Sequence, residues 1–364
     1  PARPRQAMID LLKAVSCQMI VWHHLAFYGP MSDVVHPQAR WLIDNLYRYG
    51  RAAVYVFLVV AGYLAAASLM PAPGRTGALF RRLPPARIAF DRYLRLARPY
   101  WVAILIAILF AAIARQLFDH PATPAAPSAG QILAHALLLH DLLGFEALSA
   151  GVWYVAIDLQ LYATLLLIVW LADRHGPGGG PGASTLPIVL CLGLMTAAWL
   201  GFGRDDRYDA WGVYFFGAYG LGIVARWGTA PDARRRWLPV FAALAVVALA
   251  ADPRARTVVA FAAAALMMTG RAPGWADARI VRLGSRISYA VFLVHYPVCL
   301  LVNAVVFRFW GSDLTANATG LVVAWLLGNA AGWILYRVLE VGAAGCGESP
   351  GKGAGSAAPP ITGT

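Results

Sequence analysis

The first residues able to do chemistry lie in a segment that otherwise has the composition of a membrane-spanning helix. Lys13 and His24 are eleven positions apart, so a helix brings both side chains to nearly one face, about 16 Å apart along its axis. Asp10 and Cys17 share that face, and His23 points about a quarter turn away. Because an ionisable group inside a bilayer costs several kcal/mol unless it has a partner, this stripe predicts a functional site. The alternative is that Lys13 and the histidines extend to the membrane interface.

Three arginines precede a later apolar segment at positions that share one helix face. Arg92, Arg95 and Arg98 are spaced three residues apart, so in a helix they form a cationic ridge. Guanidinium groups bind phosphates through paired hydrogen bonds, which suits the pyrophosphate and ribose phosphate of a nucleotide-bearing donor. The alternative is a topology signal that also contacts anionic lipids.

Two further segments carry polar groups inside apolar surroundings. Tyr154, Asp158 and Tyr162 repeat every four residues, so a carboxylate lies between two phenols, where it could orient a histidine or act as an acid or base. Ser288 and His295 are seven residues apart and face the same way, which favours a cavity lined by His295. The alternatives are a structural hydrogen-bond network for Asp158 and a packing role for His295.

The composition predicts an all-α integral membrane protein with about ten transmembrane helices. Hydrophobic residues make up 60% of the 364 and charged residues 13%, against about 25% charged residues in soluble domains. A further segment, 131–143, is too short to cross and is predicted to be a re-entrant or interfacial helix. Gly62 predicts a close approach of two helices. The predicted spans lie at 8–27, 52–70, 99–118, 152–172, 185–202, 211–226, 237–251, 255–270, 287–307 and 317–339.

The net charge of +12 is explained by topology. With both termini on the cytoplasmic side, most Lys and Arg residues fall on that side, as membrane proteins require, so nucleic-acid binding is not predicted. The four cysteines are scattered, and their spacing predicts neither a metal site nor a disulfide framework. We predict one transmembrane domain over residues 1–341 and a low-complexity, disordered tail over residues 342–364.

Taken together in chain order, six segments resemble the membrane-bound acyltransferase-3 family, bacterial enzymes that O-acylate cell-surface carbohydrates. They include the Lys13 to His24 spacing, the arginine ridge, the Trp-Tyr-x3-Asp-x-Gln-x-Tyr sequence ending at Tyr162, and the Ser-Tyr-x5-His-x-Pro sequence ending at Pro297. The segments are residues 9–24, 56–64, 92–101, 153–162, 287–297 and 336–340.

The resemblance implies transfer of an acyl group, usually acetyl, from cytoplasmic acyl-CoA to a hydroxyl of a glycan or glycolipid outside the cytoplasm. It implies a multi-pass protein of the bacterial inner membrane that has acyl-CoA as co-substrate and no metal. His24 corresponds to the essential histidine and would be the general base, and Lys13 to the basic residue of the same helix. Arg92 and Arg95, extended by Arg98, would bind the donor. We expect Asp158 to orient or charge-balance His24.

The chain departs from the family pattern at four places. Lys13 stands where arginine is commoner, Ala61-Gly62 replaces Ser-Gly, and Asp158 replaces glutamate. Glu340 is followed by Val-Gly rather than Arg-Pro. None of these changes removes the predicted base.

Three alternatives to this interpretation remain. A proton-coupled transporter would also bury His and Asp, but it should show inverted repeats and paired broken helices, and the sequence has neither. A polysaccharide-export or scaffold protein would carry inert histidines. An unrelated membrane O-acyltransferase would use His295 as its single catalytic histidine. His135 and His140 fall in loops or interfacial segments and are predicted to have no chemical role.

Overall fold

A computed structural model describes residues 4–70, 80, 83–175 and 185–341. The predicted tail at 342–364 lies outside these residues. Residues 176–182, whose glycines predict a flexible turn, lie outside them as well. The described part of the chain is built from α-helices and contains no β-strand. Its helices are α1 (Pro4–Phe27), α2 (Pro30–Tyr49), α3 (Ala53–Leu69), α4 (Pro85–Leu117), α5 (Ala129–Ala136), α6 (Val152–His175), α7 (Leu186–Leu200), α8 (Gly212–Trp227), α9 (Pro231–Ala251), α10 (Ala255–Thr269), α11 (Arg279–Trp310) and α12 (Leu314–Tyr336).

The helices confirm an all-α membrane protein. Six helical segments among the described residues are long and apolar enough to cross a bilayer: Pro30–Leu69, Pro85–Leu117, Val152–Arg174, Leu186–Arg204, Arg279–Trp310 and Leu314–Leu339. Each of the ten predicted spans overlaps one helix. The number of ten crossings stays a prediction. Helix α1 carries charged residues, and α8, α9 and α10 are shorter or more polar than the six apolar segments.

Helix α1 lies parallel to α11, and the polar stripe predicted on α1 faces it. The Ser285 hydroxyl donates to Asp10 over 2.6 Å, and the Cys17 thiol donates to the Ser288 carbonyl over 3.4 Å. Further along the same stripe, His24 contacts His295 on α11. The helical repeat of α1 therefore identified the residues that meet a neighbouring helix.

The turn after α1 fixes the end of that helix. Gly29 has φ of 100°, a left-handed conformation that glycine adopts without steric cost. The amide of Met31 then donates to the side-chain oxygen of Asn303 on α11 over 3.1 Å. This bond ties the chain beyond His24 to the same helix that His24 contacts.

Helices α3 and α8 cross in direct backbone contact at two glycines, as predicted for Gly62. A methyl group on Gly62 would overlap the carbonyl of Tyr219, and one on Gly222 would overlap the carbonyl of Val59. Only hydrogen side chains permit this approach.

Small residues also bring α12 against α11. Gly328 packs against His295, whose Cβ would lie 3.2 Å from an added methyl group, and Gly332 packs against the backbone of Val291. This close packing supports the turn of α11 that carries His295.

Residues 118–151 descend into the bundle beside α11 and α4. The Tyr296 hydroxyl donates to the Ala122 carbonyl, and both Tyr93 and Trp101 donate to the Ala136 carbonyl at the end of α5. Trp101 lies sixteen residues before the end of α4, which corresponds to about 24 Å of helix. The short helix predicted in this region is present as α5, and these contacts fit the re-entrant alternative better than the interfacial one.

Candidate active site

His24 lies in the wall of a cavity of about 710 Å³. The cavity is bounded by the end of α1, the starts of α3, α8 and α10, and the residues that lead into α6. His23 and His24 are both buried and both line it. The cavity therefore opens at the end of the bundle where α1 terminates.

His24 forms its closest polar contact with His295 on α11. The Nδ1 atom of His24 lies 2.7 Å from Nε2 of His295, and the two rings are stacked with centroids 5.0 Å apart. Nδ1 of His295 lies 2.9 Å from the carbonyl oxygen of Val291. Ser288, which was predicted to face the same way as His295, is also buried, and its hydroxyl donates to the carbonyl of Ser285 within α11.

These contacts assign the ring protons of a neutral pair. A carbonyl oxygen only accepts, so Nδ1 of His295 donates to Val291 and its Nε2 accepts. Nδ1 of His24 must then donate to His295. The unprotonated nitrogen of His24 is consequently Nε2, and that atom is available as a base.

His23 is held in a similar way but by α2. Its Nδ1 donates to the carbonyl of Leu46 over 2.9 Å, and its ring packs against Phe27. His23 thus faces away from the α11 stripe, as predicted from the helical repeat, while it still borders the cavity.

The remaining walls of the cavity combine aromatic rings with groups of both charges. Arg256 donates to the Tyr214 hydroxyl over 2.8 Å and lies over the rings of Tyr55 and Tyr214. Arg51 adds a second guanidinium. The carboxylates in the wall belong to Asp141, Glu146, Asp206 and Asp209. Such a surface offers hydrogen bonds and apolar ring faces to one polar ligand.

One of these carboxylates has a perturbed acidity. Burial, together with the charge of Asp209, raises the pKa of Asp141 to about 6. Burial lowers the pKa of the adjacent His140 to about 3, so its approach to Asp141 at 3.4 Å involves a neutral imidazole at physiological pH.

The predicted donor-binding arginines do not form one uniform ridge. Arg92 turns into the bundle and donates to Asp158 over 2.5 Å, and its guanidinium lies over the ring of Tyr162. Arg95 and Arg98 are exposed. One arginine is thus bound inside the protein, and two remain available at its surface.

Asp158 does not take the place predicted for it beside His24. One carboxylate oxygen binds Arg92, the other has no hydrogen-bond partner among the described residues, and Asp158 does not line the His24 cavity. His295 occupies the position beside His24 where the carboxylate was expected. The physical reason is that Asp158 lies two turns into α6, where α4 rather than α1 is its neighbour.

The other predicted residues lie along the helices that join these two places. Lys13 is half-buried on α1, one turn before Ser16 and Cys17, which are buried in the core. Tyr154 packs between the two regions, against Phe57 and Phe292. Gly151 lines the cavity just before α6 begins.

A family model described as an acyltransferase domain matches residues 7–337. The chain belongs to the acyltransferase-3 family. It is therefore a membrane acyltransferase. No curated protein and no solved structure shows significant similarity to it.

Within this acyltransferase, several cavity residues were missed by sequence reasoning. Arg51, Arg256 and Asp141 lie near helix ends or in connecting segments, where no periodic pattern indicates a direction. His135 and His140 are fully buried and stacked on each other. His135 accepts from the amide of Leu148 and donates to the carbonyl of Gln131, so it holds the segment that carries Asp141. No signal in the sequence distinguishes these positions.

Proposed function

We propose that this protein is an O-acyltransferase that moves an acyl group, acetyl in the first instance, from acyl-CoA to a hydroxyl of a glycan. The observation that carries the proposal is the His24–His295 contact. It commits Nδ1 of His24 to a neutral acceptor and leaves Nε2 free to accept a proton in a cavity wall. A general base needs that geometry before anything else.

The reaction balances with this single base. Nε2 of His24 takes the proton of the acceptor hydroxyl while the hydroxyl oxygen attacks the thioester carbonyl. The new C–O bond forms, the C–S bond breaks, and the proton passes to the leaving thiolate sulfur. The products are an ester and a free thiol. Holding both substrates at one histidine supplies much of the acceleration.

We place the donor beside the first half of α4, outside the lining of the cavity. Arg95 and Arg98 are exposed there, and Arg92 is held one turn away by Asp158. Guanidinium groups suit the phosphates of acyl-CoA. The distribution of Lys and Arg favours a cytoplasmic start of α4, and we propose that both termini are cytoplasmic and that the protein lies in a bacterial inner membrane.

We assign the acceptor to the cavity. Its aromatic rings, including Tyr55 and Trp153, and its carboxylates, including Asp206 and Asp209, suit a polyhydroxylated ligand that stacks one sugar face and donates several hydrogen bonds. A glycan or glycolipid such as an O-antigen or an exopolysaccharide has this chemistry.

His295 is less suited to be the base than His24. Its Nδ1 donates to its own helix and its Nε2 accepts from His24, so both ring nitrogens are engaged. The transporter alternative is set aside because the chain belongs to an acyltransferase family.

The test uses purified protein in detergent, so that both ends of the bundle are accessible. Labelled acetyl-CoA and a panel of short oligosaccharides are supplied, and thiol release and label transfer are measured together. We expect transfer by the wild type and by His36→Ala, a control at a half-exposed histidine of α2, and none by His24→Ala. Transfer by His24→Ala at equal folded level would rule out His24 as base, and absence of acetyl-CoA consumption by the wild type would argue against the donor.

A further inference from the structure

Three aromatic rings meet between the cavity and the Arg92–Asp158 pair. The centroids of Phe57 and Tyr154 are 6.1 Å apart, those of Phe57 and Phe292 are 6.0 Å apart, and those of Tyr154 and Phe292 are 5.4 Å apart. We call these three residues the aromatic triad. Because the rings come from α3, α6 and α11, the triad closes the space where three helices converge.

The triad touches both sites. Phe292 lines the cavity and lies 6.2 Å, between ring centroids, from His295. Tyr154 lies one helical turn from Asp158 on α6, and Gly151, on the cavity side, lies just beyond Tyr154. From Gly151 to Asp158 is seven residues, or about 10 Å of helix. The shortest path along α6 between the two sites therefore passes the triad.

The ring of Phe292 is held firmly in place. A methyl group on Gly151 would lie 3.2 Å from two atoms of that ring, so the ring rests directly on the backbone at this position. Phe292 and Tyr154 are both buried, and Phe57 packs against both clusters of the hydrophobic core. Close packing of this kind resists widening, because each ring would have to displace its neighbours.

We propose that the aromatic triad is the constriction through which the acyl-bearing arm of the donor reaches His24, and that it selects small acyl groups. The inference rests on the proposed function, since it requires a donor held near Arg92 and a base at His24. An acyl group leads its thioester along this path and must pass the three rings before the carbonyl reaches Nε2. A branched acyl group is wider than acetyl, and a longer one requires the rings to move further. Both are therefore excluded more strongly than acetyl.

The test compares acetyl-CoA with isobutyryl-CoA and butyryl-CoA as donors for wild type, Phe57→Ala and Phe292→Ala. We expect the ratio of kcat/KM for isobutyryl-CoA to that for acetyl-CoA to rise at least about tenfold in both variants, the size of effect that one or two methylenes produce in an apolar pocket. Phe261→Ala is the matched control, because Phe261 is buried like Phe292 but packs against Trp199 and Phe241, away from the cavity. Its ratio should equal that of the wild type.

If an alanine variant fails to fold, Phe292→Leu or Phe57→Leu replaces it in the test. The leucine variants should raise the isobutyryl-CoA to acetyl-CoA ratio of kcat/KM to a smaller extent. Unchanged ratios in the folded triad variants, with acetyl transfer by the wild type intact, would overturn the inference and leave the proposed function standing. An equal rise in Phe261→Ala would overturn it as well, because the effect would then reflect general loosening. Failure of the wild type to use any acyl-CoA would overturn the proposed function and this inference together.

Discussion

His24 depends on a second histidine rather than on a carboxylate. In many general-base sites, an acidic side chain fixes the tautomer of the histidine, and here His295 does so through its own bond to Val291. His295 does not line the cavity to which we assign the acceptor, so we assign it as a positioning residue for His24. The role makes a clear demand on any replacement: it must accept a hydrogen bond from Nδ1 of His24.

Replacement of His295 should therefore affect turnover in a way that depends on this acceptor. His295→Ala should lower kcat at least about tenfold with little change in the KM for acyl-CoA, because the tautomer of His24 is no longer fixed. His295→Gln should recover much of the loss, since its amide oxygen can accept from His24 while its NH₂ group donates to Val291. Steady-state kinetics on folded protein checks this.

Asp158→Asn provides the contrast. Since Asp158 binds Arg92 and not His24, we expect this variant to raise the KM for acyl-CoA more than it lowers kcat. Equal losses in His295→Ala and His295→Gln, or a pure kcat effect in Asp158→Asn, would contradict the assignment of these two residues.

The acidity of Asp141 predicts a pH dependence of stability. Its pKa is about 6 in the folded protein against an ordinary value of 3.8, so folding favours the protonated carboxyl. That contribution is complete below about pH 4 and is lost as the pH rises through about 6. Between pH 5 and pH 7 the Tm of the wild type should fall more than that of Asp141→Asn, whose side chain stays neutral. Asp119→Asn, at an exposed loop position, should follow the wild type, and identical slopes for all three proteins would be incompatible with the raised pKa.

At the residue scale, the sequence predicted which side chains share a helix face better than it predicted which residues of other helices they contact. The 3.6-residue repeat placed Asp10, Cys17 and His24 on one stripe, and that stripe meets α11. The partner of Asp158 could not be derived in the same way, because it depends on which helix packs beside α6. A helical repeat defines a face, and only the tertiary arrangement decides what that face meets.

At the scale of helices, the α3–α8 crossing is the clearest stability determinant. Gly62→Ala would place a methyl group on the Tyr219 carbonyl, and relief of that overlap requires the helices to separate, at a cost of about 1–3 kcal/mol. We expect a lower Tm in detergent for Gly62→Ala. Gly193→Ala on α7, where an added methyl group meets nothing within 4 Å, should have a Tm equal to or slightly above that of the wild type. A Tm of Gly62→Ala equal to that of Gly193→Ala would contradict the described crossing.

Two elements were not predicted in full from the sequence. Helix α2 lies between two predicted spans and was not predicted. Pro37 lies inside it, Trp41 is 77% exposed, and Leu42 and Tyr47 are exposed beside it. Aromatic residues on such a helix are typical of a membrane interface. The descent of residues 118–151 was only partly foreseen, because it depends on hydrogen bonds from α4 and α11 to carbonyls that carry no sequence signal.

At the scale of the whole molecule, the two proposed substrates have separate sites. The cavity with His24 lies at the end of α1, and the exposed Arg95 and Arg98 lie in the first half of α4, outside the cavity lining. The distribution of Lys and Arg predicts that the donor side is cytoplasmic, because the same charges that orient a membrane protein also suit a phosphate-bearing donor. The proposed enzyme therefore works across the membrane rather than at one face.

The most direct measurement of this claim uses sealed vesicles of known orientation. Labelled acetyl-CoA, which does not cross a bilayer, is added outside inverted vesicles that contain a glycan acceptor in the lumen. We predict label on the lumenal glycan for the wild type and none for His24→Ala at equal protein level. Right-side-out vesicles given donor and acceptor together on the outside should show no transfer. Transfer in that arrangement, or label on the lumenal glycan with His24→Ala, would contradict the account.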